Sequence, residues 1–157
     1  MDGSDCDKGL VGVMQLPLVS VVVPAYNTLE TFGRCLDSLL NQTYSNIEII
    51  IVDDGSTDGT EIVCDSLADV YDNVTVIHQD NSGQAAARNA GLDASNGEYL
   101  MFCDSDDFVS CYMVERLVNE AMITCSDYVE CSYAICLGDS ECVKERLDSL
   151  RPVAGKI

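Results

Sequence analysis

A chain of 157 residues with 47% hydrophobic content is long enough to bury a core as one domain and too apolar to be disordered. Its 27 acidic residues face 8 basic ones, a formal net charge of −19, which argues against nucleic acid as a partner and against unassisted docking on an anionic membrane. An anionic nucleotide bound by so acidic a chain needs a metal ion or helix N-termini to reconcile the charges.

Residues 1–16 show no periodicity and read as a flexible N-terminal tail. The opening Met1-Asp2-Gly3-Ser4-Asp5 is acidic where a signal peptide needs a basic start, and organised sequence begins just after Met14, an alternative start. No apolar stretch is long enough to cross a bilayer, so the expected location is cytoplasmic, peripheral to the membrane in a longer form. A domain over 17–151 follows, and 152–157 read as a C-terminal tail.

Leu18 to Pro24 is a β-branched run ended by proline, the pattern of a buried parallel strand. Asn27 or Thr28 can cap a helix that carries Phe32, Cys35, Leu36, Leu39 and Leu40 on one face. Ile47 to Val52 predicts a second strand, which breaks at the acidic loop Asp53–Gly59. Asp58 starts a helix with Ile62, Val63 and Leu67. Val74 to Ile77 is a short third strand, Gln79–Gly83 a loop, and Gln84 to Leu92 an Ala-rich helix. Asn96-Gly97 turns into a fourth strand, Glu98 to Cys103. A helix over Cys111–Ile123, a strand over Asp127–Ile135 and a charged helix over Glu141–Leu150 complete the chain. This alternation predicts an α/β fold, a mostly parallel sheet with helices on both faces.

Four segments fall at the carboxyl ends of strands or on the loops that follow, where open α/β sheets bind ligands. Pro24-Ala25-Tyr26-Asn27 leaves the first strand, and Tyr26 can stack on a base; read alone, it is sooner an ordinary strand-to-helix turn with a capping Asn. Asp53-Asp54-Gly55-Ser56 offers carboxylates to ribose hydroxyls or a base N–H, or makes an Asx-type turn. In Asn81–Gly91 the alanines permit close packing on the sheet, and Arg88 reaches a diphosphate or pairs with a nearby aspartate. In Asp104-Ser105-Asp106-Asp107 the hard oxygen ligands suit Mg²⁺ or Mn²⁺: Asp106 binds the metal, Asp104 shares it or sits near the ribose, and Asp107 caps the next helix. His78 ends the third strand with no evident partner and reads as an ordinary surface or core residue. Nine cysteines without a Cys-x-x-Cys pair read as reduced thiols, buried in the case of Cys35, Cys64 and Cys103.

With these four segments in this order, the sequence resembles the family 2 glycosyltransferases of GT-A fold. The resemblance covers about Leu18 to Asp107. It implies an inverting enzyme that moves a sugar from a nucleoside-diphosphate sugar, often a UDP-sugar, to the hydroxyl of a saccharide or lipid-linked acceptor. By resemblance Pro24, Ala25, Tyr26, Asp53, Asp54, Arg88 and Asp104 contact the donor nucleotide. Asp104 and Asp106 form the family's Asp-x-Asp element for Mn²⁺ or Mg²⁺.

Family members place their general base well beyond Asp-x-Asp, and neither Asp127, Glu130 nor Asp139 has that setting. The expectation is therefore a donor-binding portion whose acceptor half is missing, with the base beyond the C-terminus. Such a portion binds nucleotide but transfers sugar poorly, and its uncovered apolar surface is open to self-association. The alternatives are a non-catalytic nucleotide-sugar-binding module and a haloacid-dehalogenase-type phosphatase, whose Asp-x-Asp belongs on the first strand. A receiver domain would need a lysine on a late strand, and Lys144 lies in a charged helical stretch.

Overall fold

The β-branched run after Leu18 forms β1 (Val19–Ala25), buried along its whole length at the centre of a parallel sheet. The computed structural model describes residues 16–131 and the pair 151–152. In chain order β1 is followed by α1 (Leu29–Leu40), β2 (Ile47–Asp53), α2 (Thr60–Val70), β3 (Val74–His78), α3 (Gln84–Ala94), β4 (Tyr99–Phe102), α4 (Met113–Thr124), β5 (Val129–Glu130) and β6 (Arg151–Pro152). Four strands pair in parallel in the order β3-β2-β1-β4. The expected helical stretch over 141–150 and the tail over 1–15 lie outside the described residues.

The two-residue alternation of a strand divides the core. Val19, Val21, Val23 and Ala25 of β1, with Ile49 and Ile51 of β2, meet Phe32, Cys35, Leu36 and Leu39 of α1, Cys64 of α2, and Val114 and Val118 of α4. Val22, Ile50 and Val52 face the other way and meet Ala87 of α3, with Ala90 and Ala94 packed alongside. Helices therefore cover both faces, as expected. Right-handed crossovers explain the sides. The chain steps outward from β1 to β3 over one face, then returns past β2 and β1 to β4 over the opposite face. α3 makes that return, and it lies close: a Cβ on Gly91 would collide with the Val22 side chain.

The expected strand over Asp127–Ile135 does not join this sheet. α4 ends at Cys125 in a left-handed conformation (φ 50°), and Val129–Glu130 pairs antiparallel with Arg151–Pro152 instead. Residues 132–135 lie outside the described set, while Pro152, assigned above to the tail, lies in β6. The last long helix starts at Met113, too far along for Asp107 to cap; the Asp107 N–H closes a turn onto the Asp104 carbonyl at 3.0 Å. The first helix is not capped by its own Asn27 or Thr28 side chain either. Asp58 takes that role from the next loop: Oδ2 accepts the Leu29 N–H at 3.1 Å, while Oδ1 accepts the Thr60 N–H at 3.0 Å. One carboxylate thus serves the N-termini of α1 and α2, where the helix dipoles favour negative charge.

Candidate active site at the carboxyl ends of the strands

Strand order reverses at β1: α1 leads from it toward β2 over one face of the sheet, while α3 leads into its other neighbour, β4, over the opposite face. A crevice forms where such connections diverge. Ala25, Asp53 and His78 stand level across the ends of β1, β2 and β3. Asp104 follows β4 two residues beyond its last partner pair, Val22 with Phe102. The candidate residues of β1, β2 and β4 are therefore brought to one edge, with α3 pointing its N-terminus at them.

Tyr26 is 50% exposed and available to a ligand, whereas Ala25 is buried and contributes its backbone, its carbonyl accepting the Asp54 N–H at 2.8 Å. Asn27, left-handed at φ 50°, is fixed from both sides: its N–H donates to Ser56 Oγ at 3.0 Å, and its Oδ1 accepts the Thr57 N–H at 2.8 Å. The loops after β1 and β2 are thereby one unit.

Alternation along β2 sends the two aspartates to opposite sides. Asp53 is buried on the α2 side; its Oδ1 accepts the Ser56 N–H at 3.0 Å and its Oδ2 pairs with His78 Nδ1 at 2.9 Å. Asp54 is buried on the α3 side and holds the loop before that helix: it accepts Gln79 Nε2 at 2.6 Å and the N–H groups of Ser82 and Gly83, each at 2.8 Å. Burial pushes the Asp54 carboxyl up, and these three bonds outweigh it to leave the pKa below the usual value of 3.8. The same loop requires Gly55, which sits at φ +76°; a Cβ there would stand 2.9 Å from the Asn81 nitrogen.

Arg88 and Asp104 meet across the α3–β4 gap. Arg88 Nη2 donates to Asp104 Oδ1 at 2.6 Å, Gln84 Nε2 donates to the same oxygen at 3.3 Å, and the guanidinium stands 5.8 Å over the Phe102 ring. Both bonds fall on Oδ1, and Arg88 Nε is buried without a partner among the described residues. Of the two sequence readings of Arg88, the aspartate pair is formed. Beyond it Asp106 is exposed, while burial, followed by the charges of Asp106 and Asp104, pushes the Asp107 carboxyl up. The turn therefore carries a concentrated negative potential. Cys35 and Cys103 lie beneath it, both buried, with sulfurs 3.8 Å apart; contact with Cys103 and burial raise the Cys35 pKa, so Cys35 is an inert core thiol. Cys64 is buried as expected, whereas Cys111 and Cys125 are exposed.

Sequence reasoning missed His78. It pairs with Asp53 through Nδ1 and with Asp65 of α2 through Nε2 at 3.0 Å. The available signal was register: the sole histidine ends β3 level with Asp53 at the end of β2. Asp127 lies apart from the site, lining a shallow cavity with Glu98, Tyr99 and Met122 at the amino end of β4.

Comparison with known proteins agrees with this fold. The family model for glycosyl transferase family 2 matches residues 20–145. Glycosyltransferase GlyG of Streptococcus pneumoniae is 45% identical over 117 residues, covering 74% of this chain and 39% of GlyG. Staphylococcus aureus TarS 1-349, solved in complex with UDP-GlcNAc, superposes with a TM-score of 0.66 at 31% identity, over 70% of this chain and 32% of that one. The mannosyltransferase PcManGT of Pyrobaculum calidifontis, solved with GDP-Man and Mn²⁺, gives a TM-score of 0.56 at 30% identity, over 60% of this chain and 29% of that one. The chain spans less than half the length of each of these relatives.

Proposed function

The chain belongs to glycosyl transferase family 2, and from that membership we propose that it is the donor-binding portion of an enzyme that transfers sugar from a nucleoside-diphosphate sugar to an acceptor hydroxyl. The reading favours a UDP-sugar donor, a saccharide or lipid-linked acceptor, and inverting displacement. It is carried by one observation: the ends of β1, β2 and β4 and the first turns of α3 bring Tyr26, Asp53, Arg88 and Asp104 to one edge of the sheet. A phosphatase is disfavoured because Asp104 follows the fourth strand rather than the first.

In this reading Tyr26 stacks on the base. Asp53 accepts a hydrogen bond from the base or ribose, and Asp54 shapes the loop before α3. Arg88 steadies Asp104 and meets the diphosphate with its remaining donors. Mn²⁺ or Mg²⁺ suits the turn: Asp104 and Asp106 are hard oxygen donors beside Asp107, whose carboxyl is pushed up by burial and then by their charges. No group of three metal-binding side chains exists among the described residues, so two carboxylates with substrate phosphates would have to complete the shell. Asp104 and Asp106 would hold the ion, which when bound neutralises charge developing on the leaving diphosphate. The general base is assigned to the part of the relatives' length that this chain does not span, with catalysis in the cytoplasm or at the inner face of a membrane.

Calorimetric titration with UDP-GlcNAc tests the reading. Binding is expected with Mn²⁺ present and weaker by about ten-fold or more in Asp106→Ala or after chelation. Equal affinity in all three conditions contradicts the metal assignment.

A further inference from the structure

His78 stands at this edge with no part in donor binding as read above, and it is built in. Its ring spans two elements, with Nδ1 at 2.9 Å from Asp53 Oδ2 of β2 and Nε2 at 3.0 Å from Asp65 Oδ1 of α2. These are the charged groups that face it. Cys64 of α2 lies behind them as a neutral thiol, its pKa pushed up to about 12 by burial and then by Asp53 and Asp65. An imidazole makes both bonds as a donor only when both nitrogens carry hydrogens, that is, as the cation. On loss of a proton one carboxylate loses its partner. Asp65 is 68% exposed at its side chain and can turn to water; Asp53, at 4%, cannot.

We infer that His78 is a positioning residue for the nucleotide site, an imidazolium clamp between Asp53 and Asp65 that keeps Asp53 aimed and makes nucleotide affinity fall as pH rises. The clamp reaches further than Asp53. Asp53 Oδ1 accepts the Ser56 N–H, and Ser56 Oγ accepts the Asn27 N–H beside Tyr26, so a continuous hydrogen-bond chain links the ring to both nucleoside contacts. Bonds to Asp53 and then Asp65 raise the His78 pKa above its usual 6.5, so the imidazolium persists to higher pH than a free histidine's. By reciprocity, a nucleotide that binds the clamped form better must raise that pKa further.

The inference rests on the donor-site reading, and one experiment separates the two. UDP affinity is measured on the full chain, with Mn²⁺, from about pH 6 to about pH 8.5, for the native protein, His78→Gln and Asp65→Asn. The ratio of native to variant affinity cancels the titration of UDP's own phosphate. That ratio is expected to fall about five-fold across the range against His78→Gln. In Asp65→Asn, an exposed change that leaves the core intact, the transition moves to lower pH. The sole histidine also gives one imidazole proton resonance, whose midpoint should rise on adding UDP. Binding with a pH-independent ratio and an unmoved midpoint overturns the clamp and leaves the donor site standing. Absence of UDP binding at every pH overturns the donor-site reading and the clamp with it.

Discussion

Asp53 and Asp54 show how one residue of register decides a role. They are adjacent, both buried, and both end the same strand, yet one faces the His78 pair and the other faces the loop before α3. Asp54 is the more structural of the two because three of the chain's own donors bind it, all from the loop before α3, against two partners for Asp53. Asp54→Ala leaves two backbone N–H groups and a glutamine amide without their acceptor, and about 2–3 kcal/mol of stability should be lost, read by urea unfolding. Its pKa is depressed by folding, so the stabilisation is complete above the ordinary value of 3.8 and lost as pH falls through the folded value. In Asp54→Asn the acid end of the pH–stability curve should flatten; an unchanged curve would show that other carboxylates dominate there.

Helix α3 sets the distance between the site and the sheet. Its small residues bring the backbone against β1, and Gly91, one turn beyond Arg88, has no room for a side chain beside Val22. Gly91→Leu should cost about 1–3 kcal/mol by overpacking and carry Arg88 away from Asp104, weakening nucleotide binding as well as stability. Unchanged stability with unchanged binding would show that the helix is free to shift. Most of this layer was legible in the sequence: β-branched runs mark β1 and β2, and the apolar stripe from Phe32 to Leu39 marks the buried face of α1. What stayed hidden depends on contacts distant in sequence. Asp58 caps α1 across nearly thirty residues, and His78 finds Asp53 only once β2 and β3 lie side by side. The weak strand after α4 misled because apolar alternation does not name a partner: its described part, Val129–Glu130, pairs with Arg151–Pro152 and not with the parallel sheet.

At the scale of the whole molecule, four parallel strands and the helices on their two faces assemble a ligand edge from segments spread over some eighty residues, Pro24 to Asp106. The excess of acid, −19 overall, makes an anionic donor a poor partner unless a cation mediates. Arg88 is already paired, so the proposed reading gives that cation to the negative turn at Asp104–Asp107. The opposite face of β4 exposes Leu100 and Phe102, and the chain covers 39% of GlyG and 32% of TarS 1-349. Donor binding is therefore the role proposed for this chain, and the acceptor's chemistry is assigned to the part of the relatives' length that it does not span.

Thermal unfolding with UDP, GDP, dTDP, CDP and ADP, each with and without Mn²⁺, tests that claim most directly. A ligand at a hundred times its dissociation constant adds about 2.7 kcal/mol, a shift that is easily seen. The account predicts stabilisation by one nucleotide, UDP first among them, that requires Mn²⁺ and disappears in Asp106→Ala. No stabilisation by any nucleotide, or stabilisation indifferent to both metal and Asp106, would contradict it.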